Sequence, residues 1–139
     1  MIDFENRTET TFSLELLERI ANTLSNKEIE LILTDNEEIR TINRDFRQKD
    51  QPTDVLSFPY EAMPMTPLGS IVISVDFVKD RSQNFGHSEA DEFTLLFIHG
   101  LLHLLGFDHE CDSGEMREQE ASLIRQYHLP ESLIVRTEG

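Results

Sequence analysis

A chain of 139 residues with 38% hydrophobic and 28% charged content fits one globular domain over 1–139 and lacks the run of about 20 apolar residues that crosses a bilayer. Its formal net charge of −15 repels nucleic acid at long range and excludes a general DNA- or RNA-coating protein. One cysteine, Cys111, excludes an internal disulfide, and the opening MIDFENRTET has no signal-peptide pattern, so a cytoplasmic protein that binds neither DNA nor membrane is expected. Along the chain, residues 1–6 predict a first strand. FSLELLERIANTLS (12–25) has apolar residues at 12, 14, 16, 17, 20, 21 and 24, the pattern of an amphipathic helix. EIELILT (28–34) alternates Ile29, Leu31 and Leu33 and predicts a strand. Asp35 with Glu38 makes a capping box that opens a helix to about Phe46. DVLSF (54–58) predicts a short strand before Pro59, and the proline-rich PYEAMPMTPLG predicts a loop. GSIVISV (69–75) reads as a buried strand, followed by a helix over about 75–85 that ends at Gly86. Ser88 and Asp91 start another helix, which runs through Leu105 and stops at Gly106; a last one covers about 113–127. About four strands and five helices in alternation predict an α/β fold, a small mixed sheet covered by helices.

Two segments carry chemistry. In INRDFRQKDQPTDVLSFP (42–59) four of the twelve basic residues, Arg40, Arg44, Arg47 and Lys49, fall in or beside the segment within ten positions. Arg40 and Arg44 read as a solvated helix face. Arg47 complements a helix C-terminus, and a guanidinium there also suits a phosphate. Thr53, Asp54 and Ser57 enter a buried strand, which calls for turn capping or hydrogen bonding; Asp54 alternatively orients a ligand.

The segment 97–110 reads FIHGLLHLLGFDHE. His99 and His103 are four apart, which puts both imidazoles on one helix face. Gly106 ends the helix without a Cβ penalty, and the returning chain supplies His109 as a third nitrogen. Three histidines leave the fourth tetrahedral position open, as in catalytic zinc sites, so one Zn2+ per chain is expected, other divalent transition metals also suiting the ligands. The spacing resembles that of the metzincin metalloproteases. The glutamate that serves those enzymes as general base is Gly100 here, which disfavours peptide hydrolysis. Asp108 and Glu110 flank His109 as possible orienting groups, and Cys111, two residues on, is a remote fourth ligand. His87 and His128 stand alone and read as surface residues.

HGLLHLLGFDH, with RQKDQPTDVLSFP and LGSIVIS before it and MREQE after it, resembles the YbeY family of bacterial rRNA maturation factors over about residues 30–125. The resemblance implies a mostly parallel sheet with one antiparallel strand. It also implies a metal-dependent endoribonuclease for single-stranded RNA, acting on ribosomal RNA precursors, particularly at the small-subunit 3′ end, and in ribosome quality control. Small-subunit particles and their proteins are the implied partners. The family's ligands fall on His99, His103 and His109, and its required arginine falls on Arg47. The family's Gly-Asp-Ile strand motif is Gly69-Ser70-Ile71 here, so any role of that aspartate near the site passes to a hydroxyl or is lost. The alternatives are a metallopeptidase, supported by the histidine spacing, and a non-catalytic ribosome assembly factor with a structural metal.

Overall fold

A computed structural model describes residues 1–61, 63–107 and 114–130. The elements follow in the predicted order: β1 (Ile2–Asn6), α1 (Glu15–Leu24), β2 (Ile29–Thr34), α2 (Asn36–Arg47), β3 (Val55–Pro59), β4 (Gly69–Ser74), α3 (Val75–Phe85), α4 (Glu89–Leu104) and α5 (Glu115–Gln126). The strands form one sheet in the order β1-β2-β4-β3; β1, β2 and β4 are parallel, and β3 runs antiparallel to β4 on the edge. This is the mostly parallel α/β sheet expected. No described helix is long and apolar enough to cross a membrane.

Strand periodicity divides the interior into two unequal layers. Ile29, Leu31, Leu33, Ile71 and Ile73 face one side, where α1, α4 and α5 cover them with Leu17, Ile20, Phe93, Phe97, Leu101 and Ile124. Val72 and Leu56 face the other side and meet Ile39 of α2, with Ile32, Ile42 and Phe58 around them. β4 is buried at all six positions because both layers cover it.

Local chemistry sets the helix ends. The Asp35 carboxylate accepts from the Glu38 N–H (2.9 Å), as a capping residue should. The reciprocal half of the box is absent: the Glu38 carboxylate instead accepts from Thr34 Oγ1 (2.5 Å) and Arg7 (2.7 Å). Ser88 accepts from the Asp91 N–H (3.0 Å) and opens α4. α1 begins three residues later than its apolar pattern predicts. Phe12 lies before the helix and stacks on Phe93 of α4 (ring centroids 4.3 Å, 14° between planes), a tertiary contact that outweighs local periodicity.

Candidate metal centre and active site

α4 lies unusually close to the sheet. Gly100 carries no side chain, and a Cβ there would stand 2.8 Å from Ile71 Cγ2 and 3.2 Å from Ser57 Oγ. The Ser57 hydroxyl uses the closeness to donate to the Gly100 carbonyl (3.2 Å). Residue 100 therefore points into the sheet. A glutamate at this position would collide with β3 and β4 before it could act as a base, which argues against the metallopeptidase reading.

The residue before Gly100 and the one three after it turn away from the sheet. His99 and His103 are both half-buried. Their Nε2 atoms lie 3.2 Å apart, with ring planes at 75°. Two tetrahedral ligands at zinc–nitrogen distance are separated by about 3.3 Å, so the pair fits one divalent ion. Two imidazole lone pairs this close repel unless a proton or a cation lies between them. On its other side, His99 Nδ1 lies 3.0 Å from Glu120 Oε1 of α5. When Nδ1 keeps its proton and donates this hydrogen bond to the carboxylate, the His99 lone pair is left on Nε2, facing His103.

Glu120 escaped sequence reasoning, although MREQE belongs to the family string. Its side chain is 1% exposed, and it occupies the inward stripe of α5 with Met116, Leu123 and Ile124. A carboxylate in the apolar register of a helix was the available signal, since a buried carboxylate needs a partner.

α4 ends as predicted at Gly106, with φ +99°. The Phe107 N–H bonds the Leu102 carbonyl and the Gly106 N–H bonds the His103 carbonyl, both at 3.0 Å, the paired closure of a Schellman turn. His109, Asp108, Glu110 and Cys111 lie outside the described residues. Among the described residues no three potential ligands gather as a metal group.

Arg47 is the last residue of α2 and is exposed. It lies on the sheet side opposite α4, with β3 between the two. Among the described residues neither Arg47 nor Lys49 has an ion-pair partner, whereas Arg40 pairs with Asp50 (2.8 Å) and Arg44 with Asp45 (3.2 Å), both on the surface as predicted. Asn43, buried, anchors the following loop through Nδ2 to the Gln51 carbonyl (2.8 Å). Asp54 caps the start of β3 by accepting from the Val55 N–H (2.8 Å) and pairs with Arg81 (3.2 Å). His128 is exposed, as expected. His87 is not a surface residue: its side chain is 2% exposed and bonds Glu92 at 2.7 Å. An isolated histidine in sequence gave no sign of a buried carboxylate one helical turn into α4.

The sequence profile described as Endoribonuclease YbeY matches residues 2–128. The chain is 62% identical, over the full length of both, to the Endoribonuclease YbeY of Sulfurimonas denitrificans, and 61% identical to that of Nautilia profundicola over 99% of each. The chain belongs to the YbeY family. The solution structure of TM1509 from Thermotoga maritima is similar in fold, with a TM-score of 0.66 and 30% identity over 91% of this chain and 89% of that one.

The chain's departure from the YbeY strand motif can now be located. Ser70 shares the β4 register of Val72, so its side chain faces the α2 layer and not the histidines. Nearby, the Tyr60 hydroxyl donates to Glu30 (2.7 Å), and this bond is the main reason the phenol is held above its ordinary range. The serine thus leaves the immediate surroundings of His99 and His103 unchanged.

Proposed function

We propose that this chain is a metal-dependent endoribonuclease for single-stranded RNA that matures ribosomal RNA precursors at the small-subunit 3′ end and serves in ribosome quality control. Its setting is the cytoplasm, its partners are small-subunit particles and their proteins, and residues 1–139 act as one domain. The observation that carries the reading is the His99–His103 pair, with Nε2 atoms 3.2 Å apart and Glu120 behind His99. Membership of the YbeY family and the names of the relatives support the RNA substrate.

His99, His103 and His109 are the ligands, and three imidazoles favour zinc. When bound, such an ion supplies Lewis-acid activation for cleaving a phosphodiester. The protein's own groups do the rest. Glu120 fixes the His99 ring and its tautomer. Gly100 and Ser57 hold α4 against β3, so that the two rings keep one orientation. Arg47, with no competing carboxylate among the described residues, neutralises a substrate phosphate.

The test combines metal analysis of the purified protein with cleavage of a single-stranded RNA by the parent, His103→Ala and Arg47→Glu. The expected result is one zinc per chain in the parent, loss of metal and cleavage in His103→Ala, and loss of cleavage with metal retained in Arg47→Glu. Cleavage that survives both substitutions refutes the reading. A parent that holds metal, never cuts RNA and merely loses stability in His103→Ala is the assembly factor instead.

A further inference from the structure

The most exposed aromatic ring among the described residues is followed in sequence by two cations that have no ion-pair partner there. Phe46 is 69% exposed although it lies in a helix, and its neighbours in sequence are Arg47 and, after the turn, Lys49. Its ring is held from behind by Phe58 of β3 (centroids 5.6 Å, 63°), an edge contact that leaves a ring face open. Gln48, in the left-handed conformation at φ 59°, closes the helix, and the Lys49 N–H returns to the Asn43 carbonyl (3.3 Å), which fixes the basic turn to the end of α2. In a chain of net charge −15, a rigid aromatic with two uncompensated cations fits an anionic ligand that also has flat apolar faces.

Register places this ledge level with the histidines. Gly100 faces Ile71, and Gly69 faces Leu104, so α4 runs opposite to β4 and its histidines lie beside the first half of that strand. Phe58 pairs with Ser70 in the same half. The histidine pair and the Phe46–Phe58 contact therefore sit at one height on the two sides of β3, the edge strand.

We propose that Phe46 stacks a nucleobase of single-stranded RNA while Arg47 and Lys49 take the adjoining phosphates, the strand passing around the free edge of β3 to reach His99 and His103. This rests on the RNA reading above and adds to it a binding residue, Phe46, and a path. Phe46 positions the substrate and takes no part in bond breaking.

The experiment measures binding of the metal-loaded full chain to a 5′-labelled single-stranded oligoribonucleotide, with inorganic polyphosphate as a ligand that has phosphates and no bases. Phe46→Ala is expected to weaken RNA binding about tenfold, within the range for loss of one base stack, and to leave polyphosphate binding as it was. Phe46→Trp restores RNA binding and Phe46→Leu does not. Lys49→Gln weakens both ligands and lowers the slope of log affinity against log salt by about 0.7, the value for one phosphate contact on a single strand. A melting temperature within about 2 °C of the parent verifies each fold, the replaced ring being mostly in solvent. Equal RNA binding by Phe46→Ala and the parent overturns the proposal, as does a Leu variant that binds like the Phe parent, or an equal loss on polyphosphate. If the parent cuts RNA while Phe46→Ala binds normally, only the ledge fails. If Phe46 governs binding and no cut is made, the endoribonuclease reading fails and the ledge stands.

Discussion

Glu120 and His99 form the contact on which the site's geometry turns. The His99–His103 pair was legible because four-residue spacing on a helix leaves little choice about facing. Glu120 was not legible as a partner, because a glutamate in an acidic helix looks like a surface charge until its register with Met116, Leu123 and Ile124 is counted. Removing its charge should act on metal affinity more than on fold. Glu120→Gln is expected to weaken zinc binding about 10- to 100-fold, measured by competition with a chromogenic chelator. Affinity unchanged by that substitution would mean that His99 is oriented by packing alone. Glu38 offers a residue-scale test of pH. Hydrogen bonds from Thr34, then from Arg7, hold its carboxyl below the ordinary glutamate range. A lowered folded pKa stabilises the protein above the unfolded value and loses that contribution as pH falls through the folded one. Glu38→Gln should therefore cost less than about 1 kcal/mol at pH 7, the group being partly exposed, and still less at pH 3. Urea unfolding at both values checks it.

At the scale of elements, α4 is the part that sequence described best and explained least. Its start at Ser88, its stop at Gly106 and its histidine face all followed from residue types. The reason for Gly100 did not, because nothing in the sequence says that β3 and β4 will press against that point. α1 shows the opposite failure: its apolar pattern extends to Phe12, but Phe93 draws that ring out of the helix. The close approach at Gly100 makes a sharp prediction. Gly100→Ala inserts a methyl where Ile71 Cγ2 would be 2.8 Å away, and overpacking of this kind costs about 1–3 kcal/mol. Ile71→Ala, which removes that Cγ2, should lessen the added cost of Gly100→Ala, a coupling readable in a double-mutant cycle by denaturant unfolding. Additive losses would show that the helix shifts freely. Gly100→Glu should unfold the protein or misplace α4 without creating a peptidase, as a casein digestion assay would reveal.

The whole molecule sets conditions on both metal and RNA. An ion held by the proposed ligands binds the folded chain and not the unfolded one, and should raise global stability by mass action. With zinc at 100 times its dissociation constant the gain is about 2.7 kcal/mol, several degrees in melting temperature. Calorimetry should record it in the parent and lose it in His103→Ala. The net charge of −15 acts in the opposite sense on substrate capture. Free RNA is repelled at low salt, so cleavage should be faster on precursor RNA presented within a small-subunit particle than on the same RNA alone. Equal rates would remove the need for a presenting surface. The mostly parallel sheet and its lone antiparallel strand agree with what the family resemblance implied, while the strand order, the two-layer division and the height of Phe46 relative to the histidines emerged only once the strands were in register.

An open sheet has two rims, and each is a template on which a stranger's backbone can assemble. Here β3 closes on Pro59, whose ring nitrogen has no hydrogen to offer a docking strand. At the far rim β1 carries Asp3, an exposed carboxylate that meets its own image in a second copy laid alongside. With no further strand on either rim among the described residues, the sheet can leave its outermost backbone open to a polyanion that needs no ladder, without inviting fibrous self-association.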